Sequence, residues 1–195
     1  MTKSGVDLEF VSVTCRYGKF TIYCLIGPEQ NIIQVTFAPE KHERLQKGLA
    51  GLSSKVRIGR QQQEKFYYNN LFADYFAGRC TGFPVGPDSP LIGAGTDFQQ
   101  RVWRHIGAIP YSSCITYQRL AELAGSPKGS RAAGMACGAN PLALIIPCHR
   151  VVAVNGLGGF AGGIAVKKAL LDLEHKGPDL GNKSRKSNND FPRVR

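Results

Sequence analysis

Residues 116–137 have the sequence TYQRLAELAGSPKGSRAAGMAC, and this stretch decides how the second half of the chain folds. Thr116 offers an N-cap, and the apolar residues after it predict a short helix that ends at Gly125. A second helix is expected over residues 128–137, where Ser126 and a proline precede it. Two short helices joined by a tight glycine-containing turn outline a helix-turn-helix, although the same outline occurs in many proteins that bind no DNA.

The sequence on both sides of this stretch is also helical in pattern. Thr96 and Gln99 are spaced as a capping box ahead of apolar residues at helical intervals. This helix is expected to break within residues 107–113. A last helix is predicted over residues 165–175, after a glycine-rich loop at residues 156–163.

The first half of the chain has the pattern of a small sheet. Residues 8–13, 20–26 and 32–37 are rich in β-branched and aromatic side chains, and short turns separate them. Short connections predict an antiparallel meander. An amphipathic helix is predicted over residues 62–76, with Phe66, Leu71, Phe72, Tyr75 and Phe76 as its apolar stripe.

A change in composition marks a domain boundary. Residues 81–95 contain three prolines and four glycines, which suits a linker. The predicted fold class is therefore α+β. It has an N-terminal α/β domain over residues 1–90, a helical domain with the helix-turn-helix over residues 91–175, and a polar, basic tail over residues 176–195 that we expect to be disordered.

Composition and charge limit the function classes. Hydrophobic residues make up 43% of the chain, which is typical of a globular protein, and no stretch approaches the length of a membrane helix. Because residues 1–10 have no continuous apolar stretch, we expect no signal peptide and an intracellular, soluble monomer. The formal net charge is +11, and residues 91–195 contribute eight of those charges. The excess favours binding to a polyanion or serves solubility alone.

Six cysteines are present, and none forms a C-x-x-C pair or a cluster with histidine. We therefore expect reduced thiols and no metal site. Four of the cysteines have apolar or small neighbours and are expected to be buried structural thiols, namely Cys15, Cys24, Cys114 and Cys137.

Residues 140–152, NPLALIIPCHRVV, contain the strongest candidate for chemistry. An apolar run leads directly into Cys148, His149 and Arg150. A cysteine is a good nucleophile as the thiolate, which a nearby proton acceptor or positive charge favours. A cysteine after an apolar run is also a common core residue, so this pattern leaves both interpretations open.

The hexapeptide PCHRVV at residues 147–152 resembles the active-site signature of the O6-alkylguanine-DNA alkyltransferases, also called methylated-DNA–protein-cysteine methyltransferases. The resemblance covers residues 96–175 and includes five ordered motifs: FQQRVW at 98–103, TYQRLA at 116–121, AGSPK at 124–128, RAAG at 131–134 and NP at 140–141. Residues 1–90 resemble the family's N-terminal, ribonuclease H-like domain through less specific motifs.

The resemblance assigns the chemistry to five residues. Cys148 is implied to be the alkyl acceptor, and His149 to take its proton through a bound water. Glu174 is implied to hold the imidazole, in a relay that fits general-base physics. Tyr117 is implied to donate to N3 of the guanine, and Asn140 to join the helix-turn-helix to the active-site turn. No cofactor is implied.

The same resemblance places double-stranded DNA carrying O6-alkylguanine on the second predicted helix. Arg131 is implied to enter the base stack where the damaged nucleotide has left. Its small neighbours would let the helix approach the minor groove, and these are Ser130, Ala132, Ala133 and Gly134. The implied pocket residues are Val151, Phe160, Ala161 and Gly162, with the carbonyls of Cys148 and Val151 receiving the guanine amine and the Ala161 N–H facing O6. Some members carry tyrosine and serine where this chain has Phe160-Ala161.

Three other functions fit parts of the sequence. A non-enzymatic lesion sensor shares the fold but lacks the cysteine of the signature, which is present here as Cys148. A helix-turn-helix regulator would need no chemistry. A thiol hydrolase built on Cys148 and His149 would need an oxyanion hole and would turn over repeatedly.

Overall fold

A computed structural model describes residues 8–83 and 89–177 and has the α+β architecture predicted from the sequence. Three strands form the predicted antiparallel meander: β1 (Leu8–Tyr17), β2 (Phe20–Ile26) and β3 (Ile32–Thr36). A fourth strand, β4 (Val56–Gln61), pairs in parallel with β1 and completes the sheet in the order β3-β2-β1-β4. β4 is absent from the sequence prediction because it is a half-exposed edge strand of mostly polar residues.

The helix α1 (Pro39–Ala50) also lies outside the sequence prediction. It carries the chain from β3, at one edge of the sheet, to β4 at the other edge. Such a crossover is what allows β4 to run parallel to β1. Proline occupies its first turn, where the missing N–H costs no hydrogen bond.

The predicted helix over residues 62–76 is wrong in its first half. The helix α2 spans Asn69–Phe76, and only a single 3-10 turn, Gln63–Lys65, precedes it. The Gln63 side chain accepts a hydrogen bond from the N–H of Arg16 at 2.8 Å, which ties this segment to β1. Phe66 is extended and buried, so it reaches the core without being helical.

The second half is helical, with elements α3 (Pro90–Gly93), α4 (Asp97–Gly107), α5 (Tyr117–Leu123), α6 (Ser130–Ala139) and α7 (Ile164–Lys176). The capping box at Thr96 and Gln99 is confirmed with both of its hydrogen bonds. Thr116 caps α5, and Gly125 follows that helix at a φ of 78°. α6 begins two residues later than predicted because Gly129 is not helical.

A two-stranded parallel pair connects the helical pair to residues near the candidate thiol. β5 (Ile115–Thr116) pairs with β6 (Val151–Val152), so that Thr116 lies opposite Val152. Strands of two residues have no detectable alternation in sequence. Their pairing fixes the start of α5 beside the turn that carries Cys148.

The two proposed domains share one hydrophobic core. Tyr75 and Phe72 from α2 belong to the same buried cluster as Ile106 and Leu170. Backbone hydrogen bonds also cross between the halves, since the N–H of Val35 on β3 donates to the carbonyl of Pro141 at 2.8 Å. Part of the predicted linker and the basic tail, residues 84–88 and 178–195, lies outside the described residues.

Within the described ranges no helix combines the length and apolar character needed to span a bilayer. The four cysteines expected to be structural, Cys15, Cys24, Cys114 and Cys137, are buried and free. No group of three or more potential metal-ligating side chains occurs among residues 8–83 and 89–177.

Candidate active site

Cys148 opens a single 3-10 turn, Cys148–Arg150, that follows Pro147. Its N–H donates to the carbonyl of Ile146 at 2.8 Å, and only 7% of the residue is exposed. Burial raises the pKa of the Cys148 thiol, although a hydrogen bond from Asn140 and the charges of Lys167 and Lys41 oppose this effect. The thiol is therefore neutral at rest and needs a base to become a nucleophile.

Asn140 ends α6 and holds the turn that leads to the thiol. Its side-chain Nδ2 donates to the carbonyl of Ile146 at 2.7 Å, and its Oδ1 accepts from the N–H of Leu142 at 3.0 Å. Both bonds are buried, so they replace backbone pairing in a segment without regular structure. Asn140 thus joins the helix-turn-helix to the residues just before Cys148.

His149 is fully buried and contacts Glu174. Its Nε2 lies 2.8 Å from Oε1 of that carboxylate. Burial lowers the pKa of His149, and the charges of Arg150 and Lys167 act in the same direction, whereas Glu174 partly opposes them. The imidazole is therefore neutral, with its hydrogen assigned to Nε2 by the carboxylate partner.

The other ring nitrogen of His149 is the one that can accept a proton. Nδ1 is buried and has no hydrogen-bond partner among the described residues. Because Nε2 carries the hydrogen, Nδ1 presents a lone pair. A neutral imidazole with a free lone pair and a carboxylate behind it is the arrangement of a general base.

Glu174 is the hub of the site and is fully buried on α7. Besides His149, it accepts hydrogen bonds from Arg150, from the hydroxyl of Tyr75 at 2.5 Å and from the N–H of Ser112 at 3.0 Å. Burial would raise the pKa of Glu174, but His149 and Arg150 outweigh it and hold the pKa well below its ordinary value. The carboxylate is therefore ionised.

Lys167 is a buried charged residue of the candidate site that the sequence interpretation did not include. It is fully buried, and its Nζ donates to the carbonyls of Val151 at 2.6 Å and Gly159 at 3.1 Å. Burial lowers its pKa, and nearby Cys148 opposes that shift. A signal was present, since Lys167 shares the helical face of Leu170 and Glu174, at the i+3 and i+7 spacing of a buried stripe.

Tyr117, at the start of α5, packs against the glycine-rich loop. Its hydroxyl donates to the carbonyl of Gly159 at 3.0 Å, and the Nζ of Lys167 lies 5.5 Å from its ring centre. A Cβ on Gly158 would lie 2.5 Å from the Tyr117 ring, so only glycine allows this approach. Burial raises the pKa of Tyr117 to about 12, which keeps its hydroxyl protonated.

The rest of the loop packs on the N-terminal half. The Phe160 ring lies 5.7 Å from the ring of Phe37, and a Cβ on Gly162 would lie 2.4 Å from the Cβ of Phe37. Ala161 is exposed. The Val151 carbonyl, which the resemblance assigns to the guanine amine, already accepts a hydrogen bond from the Lys167 ammonium.

A cleft of about 700 Å³ lies beside α6 and is lined by Tyr117, Gln118, Ser130, Arg131, Gly134, Met135, Ala153, Val154 and Gly159. Arg131, Ser130 and Ala132 are exposed, and Gly134 is half-buried. Ala133 is fully buried in the core, so its side chain does not lie on the exposed side of α6 with Arg131. Ala133 faces away from Arg131 because two positions along a helix correspond to a rotation of about 200°.

Residues 97–176 match the family model described as 6-O-methylguanine DNA methyltransferase, DNA binding domain. The methylated-DNA–protein-cysteine methyltransferase of Mycobacterium bovis is 50% identical over 101 residues, which are 51% of this chain and 59% of that protein. The protein of the same name from Methanosarcina acetivorans is 46% identical over 101 residues, which are 51% of this chain and 62% of that protein. The aligned part thus spans about three fifths of these curated relatives.

Solved structures extend the similarity to most of the chain. The crystal structure of Mycobacterium tuberculosis O6-methylguanine methyltransferase superimposes with a TM-score of 0.68 at 30% identity, over 88% of this chain and 96% of that one. The crystal structure of Mycobacterium tuberculosis OGT in complex with DNA has a TM-score of 0.66 at 32% identity, over the same shares of the two chains.

Proposed function

Because this chain belongs to the O6-methylguanine DNA methyltransferase family, we propose that it repairs DNA by moving the alkyl group of O6-alkylguanine irreversibly to Cys148. The observation that carries the proposal is the buried turn in which Cys148 precedes His149, with Glu174 behind the imidazole. This set of groups supplies a nucleophile, a base and the carboxylate that orients the base.

The transfer is one substitution at the alkyl carbon. The thiol proton passes to Nδ1 of His149 through a bridging water, and the thiolate attacks the carbon as its bond to O6 breaks. The electron pair of that bond stays on the guanine, which remains in the DNA and takes up a proton from Tyr117. Return of a proton from the imidazolium to Tyr117 through solvent restores both side chains, so the thiol proton ends on the repaired base. The thioether is stable, and each molecule reacts once without a cofactor.

Two lysines favour the thiolate in this step. Lys167 and Lys41 both lower the pKa of Cys148 against the effect of burial. Lys41 is anchored from the N-terminal half by a bond from its Nζ to the carbonyl of Gly138 at 2.6 Å. Their positive charges act most strongly in this buried site, where little water screens them.

The leaving group needs a proton donor, and Tyr117 is proposed to supply it. Its raised pKa keeps the hydroxyl protonated, and it borders the cleft beside α6. In the free protein the hydroxyl bonds to the carbonyl of Gly159. Donation to N3 of a bound guanine therefore requires the hydroxyl to exchange this partner for the base.

DNA is proposed to bind as a duplex along the exposed side of α6, with a monomer acting on each lesion. Arg131 would take the place of the extruded nucleotide, while other basic side chains contact phosphates. The crystal structure of a relative in complex with DNA supports this partner. We place the activity in the cytoplasm, or in the nucleus if the source is a eukaryote.

Intact-protein mass spectrometry after incubation with duplex O6-methylguanine DNA tests the proposal. We expect each protein molecule to gain one methyl group, about 14 Da, on Cys148. No gain is expected for Cys148→Ala or with undamaged duplex. An unchanged mass with tight binding to the damaged duplex would indicate a lesion sensor. An unchanged mass without preference for the lesion would indicate a regulator, and repeated turnover would indicate a hydrolase.

A further inference from the structure

The hydroxyl of Tyr75 brings the N-terminal half of the chain into the relay. Tyr75 lies on α2 and is fully buried. Its hydroxyl donates to Oε1 of Glu174 at 2.5 Å and lies 3.4 Å from Nε2 of His149. Burial is the main reason why the pKa of Tyr75 is raised well above its ordinary value, so the hydroxyl keeps its proton and acts as a donor.

We propose that Tyr75 is a positioning residue for alkyl transfer, which fixes the Glu174 carboxylate and through it the orientation and basicity of His149. This inference rests on the proposed function and adds a role for the N-terminal half in it. Tyr75 does not touch the thiol in this arrangement, and it acts through Glu174.

The geometry around Glu174 explains why the hydroxyl matters. Oε1 accepts hydrogen bonds from Tyr75, His149 and Arg150. Oε2 accepts hydrogen bonds from Arg150 and from the N–H of Ser112. Oε1 is thus the atom that both Tyr75 and His149 share. A donor on that atom limits its movement and withdraws part of the negative charge that the imidazole would otherwise feel.

Removal of the hydroxyl should therefore alter the titration of His149. The groups that face this imidazole are Glu174 and Lys167 from α7, Arg150 from its own turn and Tyr75 from α2. Tyr111 faces the far side of the cluster, where Arg150 lies over its ring and Tyr75 meets its edge. Without the Tyr75 donor, Glu174 holds the imidazolium more strongly, and His149 should protonate at a higher pH.

If Tyr75 served packing alone, its ring would be sufficient. The centre of that ring lies 5.1 Å from the ring centre of Phe83 and 5.5 Å from that of Phe76. Tyr75→Phe keeps the ring and removes only the hydroxyl, so it separates the two roles. Tyr17→Phe is a matched control, because the Tyr17 hydroxyl also anchors α2, through Asn69 at 2.8 Å.

The test measures single-turnover methyl transfer from duplex O6-methylguanine DNA and from the free O6-methylguanine base between pH 5 and 9. We expect Tyr75→Phe to slow both reactions about tenfold or more, because the base is misplaced. The acidic limb of its rate–pH profile should move to higher pH by about half a unit, whereas the acidic limb of the Tyr17→Phe profile should not move. The inference would be overturned if Tyr75→Phe and the unsubstituted protein had the same transfer rates and the same acidic limb of the pH profile. It would also be overturned if Tyr75→Phe and Tyr17→Phe lost the same fraction of the rate and neither acidic limb moved.

Two further measurements separate the inference from the proposed function. NMR titration of the His149 imidazole reports its pKa whether or not the protein transfers a methyl group. Suppose that the pKa of His149 shifts in Tyr75→Phe but that the unsubstituted protein gains no methyl group. That result would refute the proposed function while it supports the effect of Tyr75 on His149. If Tyr75→Phe fails to fold, 3-fluorotyrosine at position 75 supplies a stronger donor and should move the acidic limb to lower pH; no movement would overturn the inference.

Discussion

Arg150 donates hydrogen bonds to both oxygens of Glu174, with Nε 3.0 Å from Oε2 and Nη2 2.9 Å from Oε1. The two side chains are 7% and 0% exposed, so the pair is shielded from water. The remaining Arg150 nitrogen, Nη1, donates to the carbonyl of Ile109 at 2.7 Å. The guanidinium therefore joins the turn that carries Cys148 to α7 and to the segment that follows α4.

Glu174→Gln should destabilise the protein and slow alkyl transfer. The substitution leaves Arg150 buried without a carboxylate, which costs about 3–5 kcal/mol in the free energy of unfolding. Urea denaturation measures this cost. The control is Asp172→Asn on the same helix, where an exposed pair with Lys168 is removed and about 1 kcal/mol or less is expected. Similar losses in the two variants would contradict the buried role of Glu174.

Acid should destabilise the protein in two stages. The folded-state pKa values of His149 and Glu174 lie below their ordinary values of 6.5 and 4.5, so over each interval the unfolded chain binds the extra proton. The free energy of unfolding should therefore fall as the pH drops below 6.5, and fall more steeply below 4.5.

Urea titrations between pH 8 and 3.5 measure both stages. Buried His42 also has a lowered pKa and contributes to the first stage. His149→Gln removes the contribution of His149 to the first stage. The second stage should change as well, because His149 helps to hold down the pKa of Glu174. An identical pH dependence in this variant would show that the folded state does not favour the neutral imidazole of His149.

Gly158→Ala should impair transfer, and Gly48→Ala, at an exposed position of α1 away from the cleft, should leave it nearly unchanged. Gly158 has a φ of +68°, and its added Cβ would meet Tyr117 Cε2 at 2.5 Å. Gly48 has no atom within 4 Å of such a Cβ. We expect a stability loss of about 1–3 kcal/mol for Gly158→Ala, together with slower transfer because Tyr117 is displaced. Single-turnover assays and thermal unfolding measure the two effects, and equal behaviour of the pair would refute the packing.

Arg131→Ala should weaken repair of duplex DNA by about tenfold or more, because the opened base stack loses its inserted side chain. Reaction with the free O6-methylguanine base should be unaffected. Arg104→Ala, an exposed arginine on α4 outside the cleft, provides a control for loss of one positive charge. Equal losses on duplex and free base would exclude the proposed place of Arg131 in the stack.

Local signals in the sequence were sufficient for much of the fold. Thr96 and Thr116 cap helices whose starts are correct, because a cap depends only on residues three positions away. The antiparallel meander is confirmed for the same reason, since its turns are short. β4 escaped prediction because its partner, β1, lies some forty residues earlier in the chain and its own side chains are mostly polar.

The site was predictable only as far as the family resemblance reached. Glu174 shares a helical face with Leu170, which is a sign of burial but indicates no partner. The family resemblance alone predicted its contact with His149. Tyr75 and Glu174 are 99 positions apart, and the pattern around Tyr75 indicates only an apolar stripe. Contacts of that range depend on how the two halves pack, which neither periodicity nor spacing encodes.

The pairing of Thr116 with Val152 has a consequence for which lesions fit. It joins the N-cap residue of α5 to β6, the strand directly after the turn that carries Cys148, while Asn140 at the end of α6 holds the segment that leads into that turn. Under the proposed function, these contacts would fix the distance between a duplex bound on α6 and the sulfur before DNA binds. Selection among alkyl groups would then depend on the shape of the adduct, since a sulfur held in this way could not move to follow a longer or bulkier one.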